Sequence, residues 1–170
     1  MTDLIRTSVS PEDLAEVLRK TGYRAAVVEP QVGGQTGPIG PQVQSAAQGL
    51  GFFIGFGNPL PAVDAALGGS RHYVDFAFHC WLNIEGELRP DLVDSWNRSK
   101  RFARLFRQAP LLVLSMDVVV AGGVSESFLI AHCELWDRVL QDFIAHLRLP
   151  ASNTASSTAS SAGAATAATG

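Results

Sequence analysis

HYVDFAFHCWLNI, residues 72–84, places an apolar side chain at almost every second position. His72, Val74, Phe76, Phe78, Cys80, Leu82 and Ile84 fall on one side, and Tyr73, Asp75, Ala77, His79, Trp81 and Asn83 on the other. A period of two sustained from His72 to Ile84 predicts a long β-strand with one face in the core. Tyr73, His79 and Trp81 on the second face are larger than a solvated face needs. They predict that something covers it: most simply a helix of this chain, otherwise a partner or a second subunit.

Downstream, Glu85-Gly86-Glu87 turns the chain and Pro90-Asp91 opens a helix expected to run to about Ala103, with Leu92, Val93, Trp96 and Ala103 as its stripe. A strand is expected from near Arg104, interrupted at Pro110, followed by an apolar strand from Leu111 to Val120 that ends at Gly122-Gly123. Ser125 caps the longest helix, whose stripe is Leu129, Cys133, Trp136, Leu140, Phe143 and Leu147, and Pro150 stops it. Upstream, Gln42–Gln48 and Leu50–Phe56 form a hairpin about Gly49, and Tyr23–Glu29 is a further strand. Ser10-Pro11-Glu12-Asp13 starts the first helix, which buries Leu14, Val17 and Leu18 and stops at Gly22. Between these elements, 32–70 is rich in Gly, Pro and Gln, with a helical turn expected at Val63–Leu67. The sum is an α+β domain: an antiparallel sheet of about five strands with three segregated helices. The strand–helix alternation of a Rossmann fold is absent.

The 170 residues divide by composition into one domain over 1–149 and a tail over 150–170. The tail is Ala, Ser, Thr and Gly with one Asn after Pro150, so it has nothing to bury and is expected to be disordered. A net charge of −3 gives no general attraction to nucleic acid or anionic lipid. Cys80 and Cys133, the only cysteines, both sit in apolar patterns, which favours a reducing compartment. No secretory h-region stands at the N-terminus, and no apolar run approaches the roughly 20 residues of a spanning helix. The expectation is a cytoplasmic protein with no membrane contact.

Catalytic motifs fail on inspection. Gly49-Leu50-Gly51 lacks the third glycine of a dinucleotide loop, and Gly123-Val124-Ser125-Glu126-Ser127 lacks the closing glycine of a nucleophile elbow. His79-Cys80 and His132-Cys133 would suit zinc by chemistry, but neighbours on a strand point to opposite faces and neighbours on a helix diverge by about 100°. No metal, no cofactor and no catalytic residue is therefore expected. The remaining cluster is Arg98, Lys100, Arg101, Arg104 and Arg107, interleaved with Phe102 and Phe106. It suits a phosphate or an acidic peptide, or simply the solvated C-terminal end of a helix.

Two blocks carry a family resemblance. Asp94-Ser95-Trp96-Asn97-Arg98-Ser99-Lys100-Arg101-Phe102 resembles the W-N-x-x-K-R-F helix signature of the YbjN family. Met116-Asp117-Val118-Val119-Val120-Ala121-Gly122-Gly123-Val124 resembles the strand and Gly-Gly turn that follow it there. The resemblance extends over about Ser10 to Leu149. It implies a fold similar to type III secretion chaperones, which are dimers that hold a client segment, and a role as a sensory transduction regulator without catalysis. The expected activity is thus protein binding by a homodimer, with Arg98, Arg101, Arg104, Tyr73 and Trp81 as contact residues and a protein client as partner. The alternative is a regulator that binds a small molecule or nucleic acid through the basic cluster 98–107, nucleic acid being the less expected of these.

Overall fold

The computed structural model describes residues 4–29, 40–61 and 70–150. In chain order the elements are α1 (Pro11–Lys20), β1 (Ala26–Val28), β2 (Gln42–Ala47), β3 (Leu50–Phe56), β4 (Asp75–Asn83), α2 (Leu92–Ser99), β5 (Arg104–Gln108), β6 (Leu111–Val119) and α3 (Glu126–Arg148). The strands make one antiparallel sheet in the order β1-β2-β3-β4-β6-β5.

The period-two pattern of β4 decides the layers. Phe76, Phe78 and Cys80 face the helices together with Phe52 and Ile54 of β3 and Leu112, Leu114, Met116 and Val118 of β6. Onto them α1 brings Leu14, Val17 and Leu18, α2 brings Leu92 and Trp96, and α3 brings Leu129, Trp136, Leu140 and Phe143. Trp136 stacks on Phe78 with centroids 5.3 Å apart, and Trp96 meets Phe143 edge-on at 5.7 Å. Each such side chain, fully buried, contributes roughly 1.5–3 kcal/mol from its area. The helices start where the sequence marks them. Ser10 forms a capping box with Asp13, and the Ser125 hydroxyl accepts the Phe128 N–H. Arg6 pairs with Asp13 at 2.8 Å and Lys20 with Glu126 at 2.8 Å, tying the N-terminal segment and α1 to the start of α3.

Four expectations are corrected. The sheet has six strands where about five were expected, because the chain on either side of Pro110 forms two strands, β5 and β6. The strand expected over 23–29 shrinks to Ala26–Val28. The strand expected over 72–84 spans Asp75–Asn83, since Tyr73 instead makes isolated bridges to Val9 and Pro59. The second helix stops at Ser99, well before Ala103: Lys100 is extended, and Phe102 takes a φ of 74°. The hairpin about Gly49 is as expected. Gln48 and Gly49 both have positive φ, 55° and 78°, as a two-residue turn between twisted strands requires. The tail over 151–170, the glycines 33–37 and the turn at Val63–Leu67 lie outside the described residues. Among those described, no helix is long and apolar enough to cross a membrane.

Candidate functional site

The three helices of the described residues pack on one face of the sheet, so none of them supplies the cover expected over the second face of β4. The apolar stripes of α1, α2 and α3 meet Phe76, Phe78 and Cys80, and nothing comparable draws a helix to the other side. Among the described residues no helix or strand lies over that face.

Register assembles the face. Gln44, Phe53, His79, Ser115 and Arg104 stand side by side across β2, β3, β4, β6 and β5. Trp81, Val113 and Phe106 form the adjacent line. The Phe53 ring lies 5.0 Å from the His79 ring, tilted by 31°, and 5.0 Å from Trp81, edge-on. Val113 between Trp81 and Phe106, and Ser115 between His79 and Arg104, are each only 1% exposed. Trp81 Nε1, His79 Nδ1 and Ser115 Oγ are buried with no hydrogen-bond partner among the described residues. An unsatisfied buried polar group costs about 1–3 kcal/mol, so three on one face are a concentrated expense. Burial pushes the His79 imidazole below its ordinary pKa; Asp117 opposes the shift and Arg104 adds to it.

Beside His79 lies a cleft of about 220 Å³, lined in part by Gly55, Gly57, Asp75, Ala77 and Asp117. Asp75 is committed to structure: its Oδ1 accepts the backbone N–H and the side-chain amide of Asn58, both at 2.9 Å. A Cβ at Gly57 would run into the Asp75 carboxylate, which would have to shift away. Two carboxylates at its wall make the cleft unsuitable for anions.

At the β5 border, residues 100–103 turn the chain from α2 into the edge strand. Trp96 Nε1 donates to Ala103 O at 3.0 Å. The Asn97 side chain donates to Leu105 O at 2.8 Å and accepts Leu105 N–H at 2.9 Å. Trp96 and Asn97, the core of the quoted signature, therefore fasten the turn from within. Phe102 is held in the left-handed region, which costs a non-glycine residue roughly 1–2 kcal/mol, yet the residue is 62% exposed. The Arg101 guanidinium lies 5.1 Å from the centre of that ring.

The expected contact residues separate. Arg104 and Trp81 belong to the open face, with Arg104 3.6 Å from Asp117 and over Phe106 at 5.7 Å. Arg98 on α2 and Arg101 in the turn are exposed, and neither has a carboxylate partner among the described residues. Lys100 pairs with Asp142 at 3.0 Å, and Arg107 donates to Arg89 O at 3.4 Å. Tyr73 leaves the set: it is 4% exposed and packs its ring 4.8 Å from Phe56. Phe53 and Phe106 were not singled out as surface residues, although their alternation within β3 and β5 was a usable signal.

Another cluster had no signal in sequence. His146 is buried, with Nε2 2.9 Å from Leu92 O, 3.1 Å from Arg89 Nη2 and 3.3 Å from Ser95 Oγ. The Ser95 hydroxyl donates to Asp91 O at 2.7 Å, so the group latches α2 to α3 and offers no free nucleophile. Cys80 and Cys133 are buried, which raises their thiols to about 11 and about 12, and His132 Nδ1 lies 2.9 Å from Phe128 O. Among the described residues no three His, Cys, Asp or Glu side chains gather as metal ligands. Comparison with known proteins adds no relative, since no family model, no curated protein and no solved structure matches this chain.

Proposed function

We propose that this protein is a binding module that acts as a homodimer and recognises another protein, in the manner of the YbjN-like regulators and chaperone-like adaptors that its two sequence blocks resemble. The observation that carries the proposal is the open face of the sheet. Phe53, Trp81 and Phe106 surround the fully buried Val113 and Ser115 there, and three buried polar atoms lack partners among the described residues. Strands about 4.8 Å apart and nine residues long at the middle of the sheet give that face at most roughly 700 Å². That is close to the ~800 Å² each partner contributes to a stable interface. Arg104 and Asp117 offset each other on the face, so a second copy would bring little repulsion. The alternative, a regulator that binds a small molecule or nucleic acid through the cluster 98–107, is the weaker reading: the cleft is acidic, and Lys100, Arg104 and Arg107 are engaged within the chain, which leaves Arg98 and Arg101.

Light scattering on a sizing column tests the proposal. The chain of 18.1 kDa should run at twice that mass, and Phe53→Lys or Trp81→Lys should give a folded monomer. A wild-type protein that stays monomeric as its concentration is raised would overturn the dimer.

A further inference from the structure

We infer that the turn Lys100–Ala103 is a recognition knuckle that takes an acidic segment of a partner protein, with Phe102 as the apolar contact and Arg98 and Arg101 as the carboxylate grips. This rests on the protein-binding proposal above and not on the dimer.

The backbone supplies the first reason. Phe102 occupies a left-handed conformation that its side chain disfavours, and its ring is not buried in return. Backbone strain that secures no packing within its own chain points to use outside it. The surroundings enforce the conformation: the Trp96 indole and the Asn97 amide hold the residues on its C-terminal side, Ala103 and Leu105. The ring is thereby presented on a rigid support and not on a loose loop, which lowers the ordering cost of binding.

Charge supplies the second. Other cations in the neighbourhood have partners: Lys100 meets Asp142 and Arg104 meets Asp117. Arg98 and Arg101 meet no carboxylate among the described residues, and Arg101 lies against the Phe102 ring. A planar guanidinium braced on an aromatic face leaves its N–H edge free for a bidentate carboxylate. The pairing of exposed aromatic and free guanidinium is the composition of an interface hot spot. A protein segment is favoured over nucleic acid as the acidic partner, because the chain as a whole is negative and the turn itself offers just Arg98 and Arg101 without a carboxylate partner among the described residues.

The test is a surface array of short peptides rich in Asp and Glu, each with one or two apolar residues, alongside matched arrays in which Lys replaces the acids. Full-length protein is applied, and its mass is measured on the same samples. Wild type should bind acidic peptides and ignore their Lys counterparts. The double variant Arg98→Glu, Arg101→Glu should lose about tenfold or more in affinity. Phe102→Gly supplies the control for folding, since glycine adopts positive φ without steric cost. It should keep or raise the thermal midpoint while weakening peptide binding. Binding that both variants retain, or a midpoint that falls in Phe102→Gly, overturns the inference. So does tighter binding of a single-stranded oligonucleotide than of any acidic peptide. A dimer that binds no acidic peptide overturns the knuckle alone, and a monomer that binds them overturns the dimer alone.

Discussion

The side chain of Asn97 hydrogen-bonds both backbone groups of Leu105, accepting its N–H at 2.9 Å and donating to its carbonyl at 2.8 Å. Strand β5 is an edge of the sheet, and at this position a helix residue takes the place of a neighbouring strand. An open edge invites pairing with another chain, so the amide both stabilises the strand and guards it. Asn97→Ala should lower stability by about 2–3 kcal/mol, two hydrogen bonds being lost around a partly buried backbone. It should also increase aggregation. Chemical denaturation and light scattering at rising concentration check the two effects, and an unchanged midpoint would show that water replaces the amide without cost.

The Asn97 clamp also marks how far the sequence could be read. Periodicity located β4, the hairpin at Gln48-Gly49 and the buried stripe of α3, because each is a local pattern over consecutive residues. The end of α2 was not legible. Lys100 through Ala103 continue a helix-compatible composition, and only the Trp96 and Asn97 contacts across the turn break the helix at Ser99. For the same reason Tyr73 was misplaced: it follows the alternation of β4, yet bridges to Val9 and Pro59 pull it into the interior. The choice between a covered and an open second face depends on which side every helix packs, a tertiary fact that one strand cannot carry. The latch of His146 with Arg89 and Ser95 joins residues more than fifty positions apart and left no trace in either segment.

Trp96 and Arg101 share the quoted signature and should fail differently. Trp96 is fully buried against Phe143 and donates to Ala103 O, so Trp96→Ala should cost roughly 3–5 kcal/mol. Arg101 lies beyond the helix and is exposed, so Arg101→Glu should change stability by about 0.5 kcal/mol or less. Thermal unfolding of both variants decides the matter. An unfolded Arg101→Glu protein would make the arginine structural and remove it from the knuckle.

Both thiols should be inert in the native protein. Burial holds Cys80 at about 11 and Cys133 at about 12, and the thiolate is the reactive form. A chromogenic disulfide reagent at mildly alkaline pH should label neither until denaturant is added, after which both should react together. Rapid labelling of one thiol under native conditions would reveal local opening around β4 or α3.

His79 should make the protein less stable in acid. Its imidazole is pushed below the ordinary value by burial first; Asp117 pulls against this, and Arg104 reinforces it. A folded-state pKa lower than the unfolded one means that the unfolded chain binds the proton more readily. Above about pH 6.5 both states are neutral and the full stability is present. As pH falls through that value the unfolded chain protonates first, and stability is lost down to the lowered folded-state pKa. Chemical denaturation at pH 8 and at pH 5 should show the loss, and His79→Gln should reduce it. Asp117→Asn, by removing the opposing charge, should steepen it, and Arg104→Ala should make it shallower. The chain holds three further histidines, so the decisive measurement is the His79 ring resonance itself, followed by NMR against pH. A midpoint at or above 6.5 would mean that the ring is solvated, and that the open face does not bury its polar atoms as the geometry shows.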